Sequence, residues 1–287
     1  AERGEPVRAL VRSGRGTARL RALGVALEPG DMRDPRALRR ALRGVRAVIT
    51  TAQGSPFRRD LSYEHVDGEG NRMLIQAAGA ARVERFVFVS ALKADEAANV
   101  PQLACKHAAE LQLRASGMSF TILRPSSLQE IFGTGHAPLR RAVERGVGLL
   151  LAGGRAPHSF VAARDVARAA VVALEHPAAR ERVVEVGGPE DLSYREAYWR
   201  IAQITGRRIH QLPLPLPLLA AGGVLASPLA PGLAGLSALL AFQERTGYTC
   251  TTPDWLLAAL GGRRSFDEGV RDMYGAAADR TSRGKRR

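Results

Sequence analysis

The stretch that decides the fold is Val66–Ser127, VDGEGNRMLIQAAGAARVERFVFVSALKADEAANVPQLACKHAAELQLRASGMSFTILRPSS. Asn71–Ala81 carries apolar residues at helical spacing (Met73, Leu74, Ala77, Ala78), and Arg85–Val89 is a short apolar run ending in Ser90. Leu103–Ala115 repeats the helical pattern, and Ser119–Leu123 is a second apolar run closed by Arg124-Pro125. Strand, helix and strand with so short a return require parallel strands. Ligands in such sheets sit at the carboxyl ends of the strands. Ser90 and Arg124–Ser127 are therefore expected to face one crevice, within reach of Lys106 from the intervening helix.

Upstream, Pro6–Val11, Val25–Leu27 and Ala47–Thr51 read as strands. Helices at Thr17–Leu23 and from Pro35 or Arg36 to Arg43 separate them, with Gly44 as a stop. Downstream come a helix within Phe132–Val147, the apolar segment Gly148–Gly154, a helix to Glu175 and a last strand at Arg182–Val186. Asp165, at the start of the helix ending at Glu175, reads as a cap. Ser193 followed by Glu196 is a capping box for the next helix. This alternation is that of an α/β protein with a doubly wound parallel sheet, the Rossmann arrangement.

The 287 residues suffice for one large core plus a small second region, and 45% hydrophobic residues mark a globular chain. Cys105 and Cys250 are far apart, with no disulfide framework, which points to a reducing, cytoplasmic setting. The net charge of +14 comes almost wholly from scattered arginines, the lysines being Lys93, Lys106 and Lys285. With aromatics at 5% and no base-stacking platform, no specific nucleic-acid partner is expected. The six histidines are dispersed without metal-ligand spacing, so no metal site is expected.

Segment 212–242 has no charged residue, but Pro213, Pro215, Pro217, Pro228 and Pro231 argue against one spanning helix. Two short apolar helices, near 217–226 and 233–243, are expected to cover a substrate cavity; shallow peripheral membrane or quinone contact is the second reading. The division expected is 1–190 for the Rossmann core, 191–275 for a small, mostly helical C-terminal substrate-side region, and 276–287 for a basic disordered tail.

The ordered series VDxEGNxxLIxAAxxAxVxRFVxVSA, a lysine-bearing helix, SGxxxTILRP and GGPExLSYRE resembles the atypical short-chain dehydrogenase/reductase superfamily. The resemblance is to its NmrA-like branch and the related 39 kDa-type accessory subunit of respiratory complex I, both NAD(P)-binding. It implies that the first strand, the glycine-rich loop and most of the first helix, roughly 20–25 residues at ordinary lengths, are lacking here, and hence that the chain is N-terminally truncated. Because that strand would lie centrally, its loss is expected to leave two strand groups with unpaired inner edges.

The resemblance also implies site residues. Arg12, with Ser13 and Arg15, stands where a guanidinium suits the 2′-phosphate of NADP, with NAD as the alternative cofactor. Asp31 and Met32 occupy the position that flanks adenine, though a plain turn aspartate fits Asp31 equally well. Thr50, Thr51 and Ala52 let the backbone approach a ribose. Pro125, Ser126 and Ser127 complete the cofactor-binding set. Asp67 and Asn71 read as capping or packing residues.

Alcohol-oxidising relatives use a serine and a Tyr-x-x-x-Lys pair; here Ser90 and Lys106 remain as candidate catalytic groups, and Gln102 takes the tyrosine position. An amide cannot exchange a proton near neutral pH, so the usual alcohol-dehydrogenase mechanism is not expected. The expectation is an NAD(P)H-dependent reductase of a small carbonyl, enone or quinone-like substrate. The alternative is a non-catalytic NAD(P)H-binding redox sensor or respiratory-complex accessory or assembly protein, with nucleotide-sugar epimerisation a weaker third.

Overall fold

The structure, a computed structural model, alternates short strands with helices through its N-terminal half. The structure describes residues 4–12, 16–133, 138–151, 153–215, 217, 218, 221 and 232–284. The N-terminal half alternates β1 (Arg8–Val11), α1 (Ala18–Ala22), β2 (Ala26–Pro29), α2 (Pro35–Ala41) and β3 (Ala47–Thr50). Asp34 caps α2 by accepting from the Arg36 amide, with Pro35 at the first helical position. Then follow a π-helical segment (Glu64–Gly70), α3 (Asn71–Ala80), β4 (Arg85–Val89), α4 (Pro101–Arg114) and β5 (Ser119–Pro125).

Strands β3, β4, β5 and β7 (Arg182–Val186) form one parallel sheet in that order, whereas β1 and β2 form a separate parallel pair. Among the described residues, β1 pairs only with β2 and β3 only with β4, so each keeps an open edge. Ile49 in β3 is 41% exposed, whereas Phe86, Val87 and Phe88 in β4 are fully buried. Both groups stand on the same helices: Leu38 and Leu42 of α2 and Ile75 and Ala78 of α3 share a core with Leu10 of β1, Val48 of β3 and Phe88 of β4.

Beyond β5, α5 (Pro138–Glu144) leads to β6 (Val147–Leu151), and α6 (Ala163–Glu175) to β7. The apolar segment at β6 pairs in parallel with β8 (His210–Leu214), a small extra sheet that local pattern did not predict. α7 (Tyr194–Thr205) begins at Ser193 with the expected capping box to Glu196 and ends at Gly206 with φ of 65°. α8 (Leu233–Thr246), α9 (Asp254–Leu260) and α10 (Phe266–Gly284) complete the chain. α10 runs past residue 275, so much of the segment read as a disordered tail is helical. Of the two helices expected in 212–242, the second is α8; the first lies mostly outside the described residues, and 212–214 belong to β8. No helix among the described residues is long and apolar enough to cross a membrane.

One correction concerns Asp165. It lies inside the first turn of α6, whose cap position is Ala162, and its buried carboxylate accepts from the Arg264 amide at 2.7 Å. It ties α6 to the loop before α10 rather than capping its own helix.

Candidate functional site

The site is built where β3, β4 and β5 end. α4 enters from Val100 with Pro101 at its first position, and residues four apart on a helix share a face. Gln102, Lys106 and Glu110 accordingly form one buried row, at 8%, 2% and 0% exposure, against the end of β4. A polar row in so dry a position requires partners for every charge.

Lys106 finds two. Its Nζ lies 3.0 Å from Asp67 Oδ1 and donates to the Val89 carbonyl at 3.4 Å, with the Phe88 ring centroid 5.5 Å away. Among the described residues only the Val89 contact has hydrogen-bond geometry, so the three-donor ammonium keeps donors for a ligand. Asp67 also accepts from the Gly54 amide at 2.7 Å through Oδ2. It sits within the π-helical segment rather than at a helix cap, which corrects the sequence reading. Asn71 donates to the Asp67 carbonyl at 3.1 Å and meets Thr50 Oγ1 at 3.4 Å, while Ala52 N–H donates to that hydroxyl at 3.4 Å. Thr50 is thus buried in the network, and Thr51 and Ala52 carry the strand end out beside it.

Ser90 belongs to a second network. Its hydroxyl donates to Glu110 Oε1 at 2.5 Å. Arg124, from β5, spans the same carboxylate with Nε at 3.0 Å and Nη2 at 2.6 Å, and reaches Asp95 with Nη1 at 2.8 Å. Burial opposes the Arg124 charge, but pairing with Glu110 and Asp95 overrides it and holds the guanidinium above its ordinary pKa. A carboxylate held by both arginine prongs only accepts, so the Ser90 proton is committed to Glu110 and its oxygen is left to accept.

Beyond Pro125, whose carbonyl accepts from Leu92 N–H, the hydroxyls turn inward. Ser126 donates to the Tyr248 carbonyl at 2.5 Å, and Ser127 Oγ lies 2.9 Å from His158 Nδ1. His158 stacks on Phe160 and abuts Tyr194. Burial lowers its pKa to about 4 and raises that of Tyr194 to about 12, so both are neutral at pH 7. Glu110 and His158 carried no local signal; each is defined by a partner distant in sequence.

At the far end, Arg12 directly follows β1 and is exposed. Asp31 is engaged by Arg33 through Nε and Nη2, both at 3.0 Å; this hydrogen bonding is the main reason its pKa is lowered. Met32 packs inward against Gly70, where a Cβ would meet its Sδ at 2.9 Å. Ser13 and Arg15 lie outside the described residues. Burial raises the Cys105 thiol to about 11, the behaviour of a packing residue rather than a nucleophile.

These residues fit the two ends of a dinucleotide. The unused Lys106 donors and the exposed Arg12 guanidinium are chemically compatible with the hydroxyls and phosphates of a dinucleotide. A glycine-rich phosphate turn is not found among the described residues. A family model described as NAD(P)H-binding matches residues 1–177. Photosystem II assembly factor Ycf39 of Trieres chinensis is 28% identical over 217 residues, 76% of this chain and 67% of that protein. NAD(P)H azoreductase of Xenophilus azovorans is 28% identical over 255 residues, 89% of this chain and 82% of its own. The NADPH-dependent quinone oxidoreductase QOR2 of Escherichia coli, solved with NADPH, superposes with a TM-score of 0.71 at 22% identity, covering 95% of this chain and 93% of that one. That structural likeness establishes the Rossmann-type fold. The match over residues 1–177 establishes that this chain belongs to the NAD(P)H-binding family of atypical short-chain dehydrogenases/reductases.

Proposed function

We propose that this chain binds NADPH across the carboxyl ends of its strands and reduces a small carbonyl, enone or quinone-like acceptor. The observation that carries this is the Lys106 ammonium, 2% exposed, fixed at the end of β4 by an ion pair and one hydrogen bond, with donors left free. When bound, the cofactor supplies hydride. Lys106 would hold the ribose and steady the negative charge that develops on the acceptor until solvent water protonates it, a role needing no proton exchange at the Gln102 position. Ser90, as an acceptor, orients an N–H or O–H group. Thr50, Thr51 and Ala52 line the ribose side, Pro125–Ser127 close the crevice beside β5, and Arg12 favours the 2′-phosphate. The azoreductase and the quinone oxidoreductase among its relatives support a reductase acting on conjugated acceptors.

Residues 1–190 serve as the cofactor half and 191–275 as the substrate side in this reading. α8 crosses the strand ends: Gly232 abuts Pro56, Gly235 lies against Pro101, and Lys93 Nζ donates to the Thr246 and Gly247 carbonyls at 3.0 and 3.2 Å. It thereby covers the crevice. Free thiols at Cys105 and Cys250 fit a cytoplasmic setting.

A second reading rests on Gln102. A buried amide one turn before Lys106 leaves the site with no proton-exchanging phenol there, as in a protein that keeps the fold for binding; the Ycf39 relative is an assembly factor. Fluorescence titration with NADPH and NADH, followed by turnover assays on quinone, azo and enone acceptors with Lys106→Met as control, separates the two. NADPH binding with Lys106-dependent turnover is expected. Binding without turnover supports the accessory reading, and binding of neither cofactor overturns both.

A further inference from the structure

The geometry points to Asp67 as the positioning residue of this site: it sets the Lys106 ammonium and the Gly54 backbone together for the cofactor ribose. This rests on the proposed function above and deepens it.

Asp67 is completely buried, and its two oxygens face different elements. Oδ1 has no hydrogen-bond partner among the described residues and meets the Lys106 ammonium, on α4, as an ion pair at 3.0 Å. Oδ2 accepts from Gly54 N–H at 2.7 Å, in the loop leaving β3. One carboxylate therefore ties together the two strand ends between which a ribose would lie. A buried ion pair adds little net stability compared with apolar groups of the same shape, so what this one contributes is placement.

The backbone explains why Asp67 points there. Glu64–Gly70 is π-helical, the wider winding that turns up at functional positions, and it buries Val66, Asp67 and Gly70. The helix resumes at Asn71, which donates to the Asp67 carbonyl at 3.1 Å and locks the junction. The partner loop is drawn in equally closely: a Cβ at Gly54 would lie 2.6 Å from the Ser62 carbonyl oxygen. Residue 54 must therefore stay close to the π-helical segment for its amide to reach the carboxylate. Lys106, paired with Asp67 and hydrogen-bonded to the Val89 carbonyl, is held between the two with its remaining donors free to bind.

The test is a double-mutant cycle with Asp67→Asn and Lys106→Met, read as NADPH affinity and as the split between kcat and KM on a quinone acceptor. Asp67→Asn is expected to weaken NADPH binding roughly tenfold, the middle of the range for contacting pairs. In the Lys106→Met background the same change is expected to weaken it less than about twofold, since coupled residues do not add. A merely structural carboxylate would cost the same in both backgrounds, and that result overturns the role. Hydrogen exchange at the Gly54 amide gives a readout independent of cofactor. It is protected in the parent and speeds up in Asp67→Leu/Lys106→Met, which leaves it no side-chain acceptor; unchanged exchange also overturns the proposal. If Asp67→Asn does not fold, Asp67→Leu/Lys106→Met removes both charges together. Affinity equal to that of Lys106→Met alone supports the role, and a further loss refutes it. A parent chain that binds neither NADPH nor NADH defeats the functional reading, whereas a parent that binds and an Asp67→Asn that matches it defeat only the positioning role.

Discussion

Replacing Glu110 by Ala should be among the most damaging single changes near the site, and its cost can be worked from the contacts. Glu110 is fully buried and accepts from Ser90 Oγ at 2.5 Å and from Arg124 at 2.6 and 3.0 Å. The change leaves the 6% exposed Arg124 paired only with Asp95, whose side chain is 44% exposed. Breaking a buried pair from one side costs about 3–5 kcal/mol. The stranded Ser90 hydroxyl adds about 1 kcal/mol, and Asp95 offsets a similar amount, leaving about 3–5 kcal/mol. Against a typical domain stability of about 5–15 kcal/mol, that is a large fraction. Urea denaturation followed by tryptophan fluorescence measures it. The double variant Glu110→Met/Arg124→Leu removes both charges, so it should cost at least about 2 kcal/mol less than Glu110→Ala. A single variant that loses under about 1 kcal/mol, or a double variant as unstable as the single, would show that desolvation of this pair does not govern the strand end.

Three further outcomes follow from the structure. The folded-state pKa of His158, near 4, lies below its unfolded value of about 6.5, so the unfolded chain binds the extra proton between those limits. Stability is complete above pH 6.5 and declines as pH falls through this window, by roughly 3 kcal/mol at pH 4; in His158→Gln, urea midpoints should fall less steeply over the same range. Gly188→Ala places a Cβ 1.9 Å from the Phe160 carbonyl oxygen, a backbone atom that cannot swing aside. It should cost about 1–3 kcal/mol or more in thermal or urea unfolding, whereas a cost below 0.5 kcal/mol would mean the loop yields freely. Cys105 and Cys250, with thiols raised by burial to about 11 and about 12, should react with a disulfide reagent at pH 7.5 far more slowly in the native chain than in urea. Equal rates would contradict their burial.

What the sequence by itself determined was everything written in local periodicity and in short-range side-chain grammar. The apolar runs at Arg85–Val89 and Arg182–Val186 are strands with those bounds, and Ser193 with Glu196 forms the expected capping box. A lysine one turn into α4 was placed at the end of β4 because strand–helix–strand connectivity allows it little else, and Lys106 donates to the Val89 carbonyl there.

Only the tertiary structure decided which groups meet. Asp67 looked like a cap, yet it belongs to Lys106 and Gly54; Asp165 likewise holds the Arg264 amide. Ser90 was visible as a serine at a strand end, but the direction of its hydroxyl depends on Glu110 and Arg124, two residues on different elements. The β6–β8 pair and the contact between Ser127 and His158 join segments far apart in the chain. A buried charge takes the partner that packing brings within about 3 Å, and the cost of leaving it unpaired selects that partner. No local pattern encodes such a choice, because the desolvation that enforces it exists only once the core has closed.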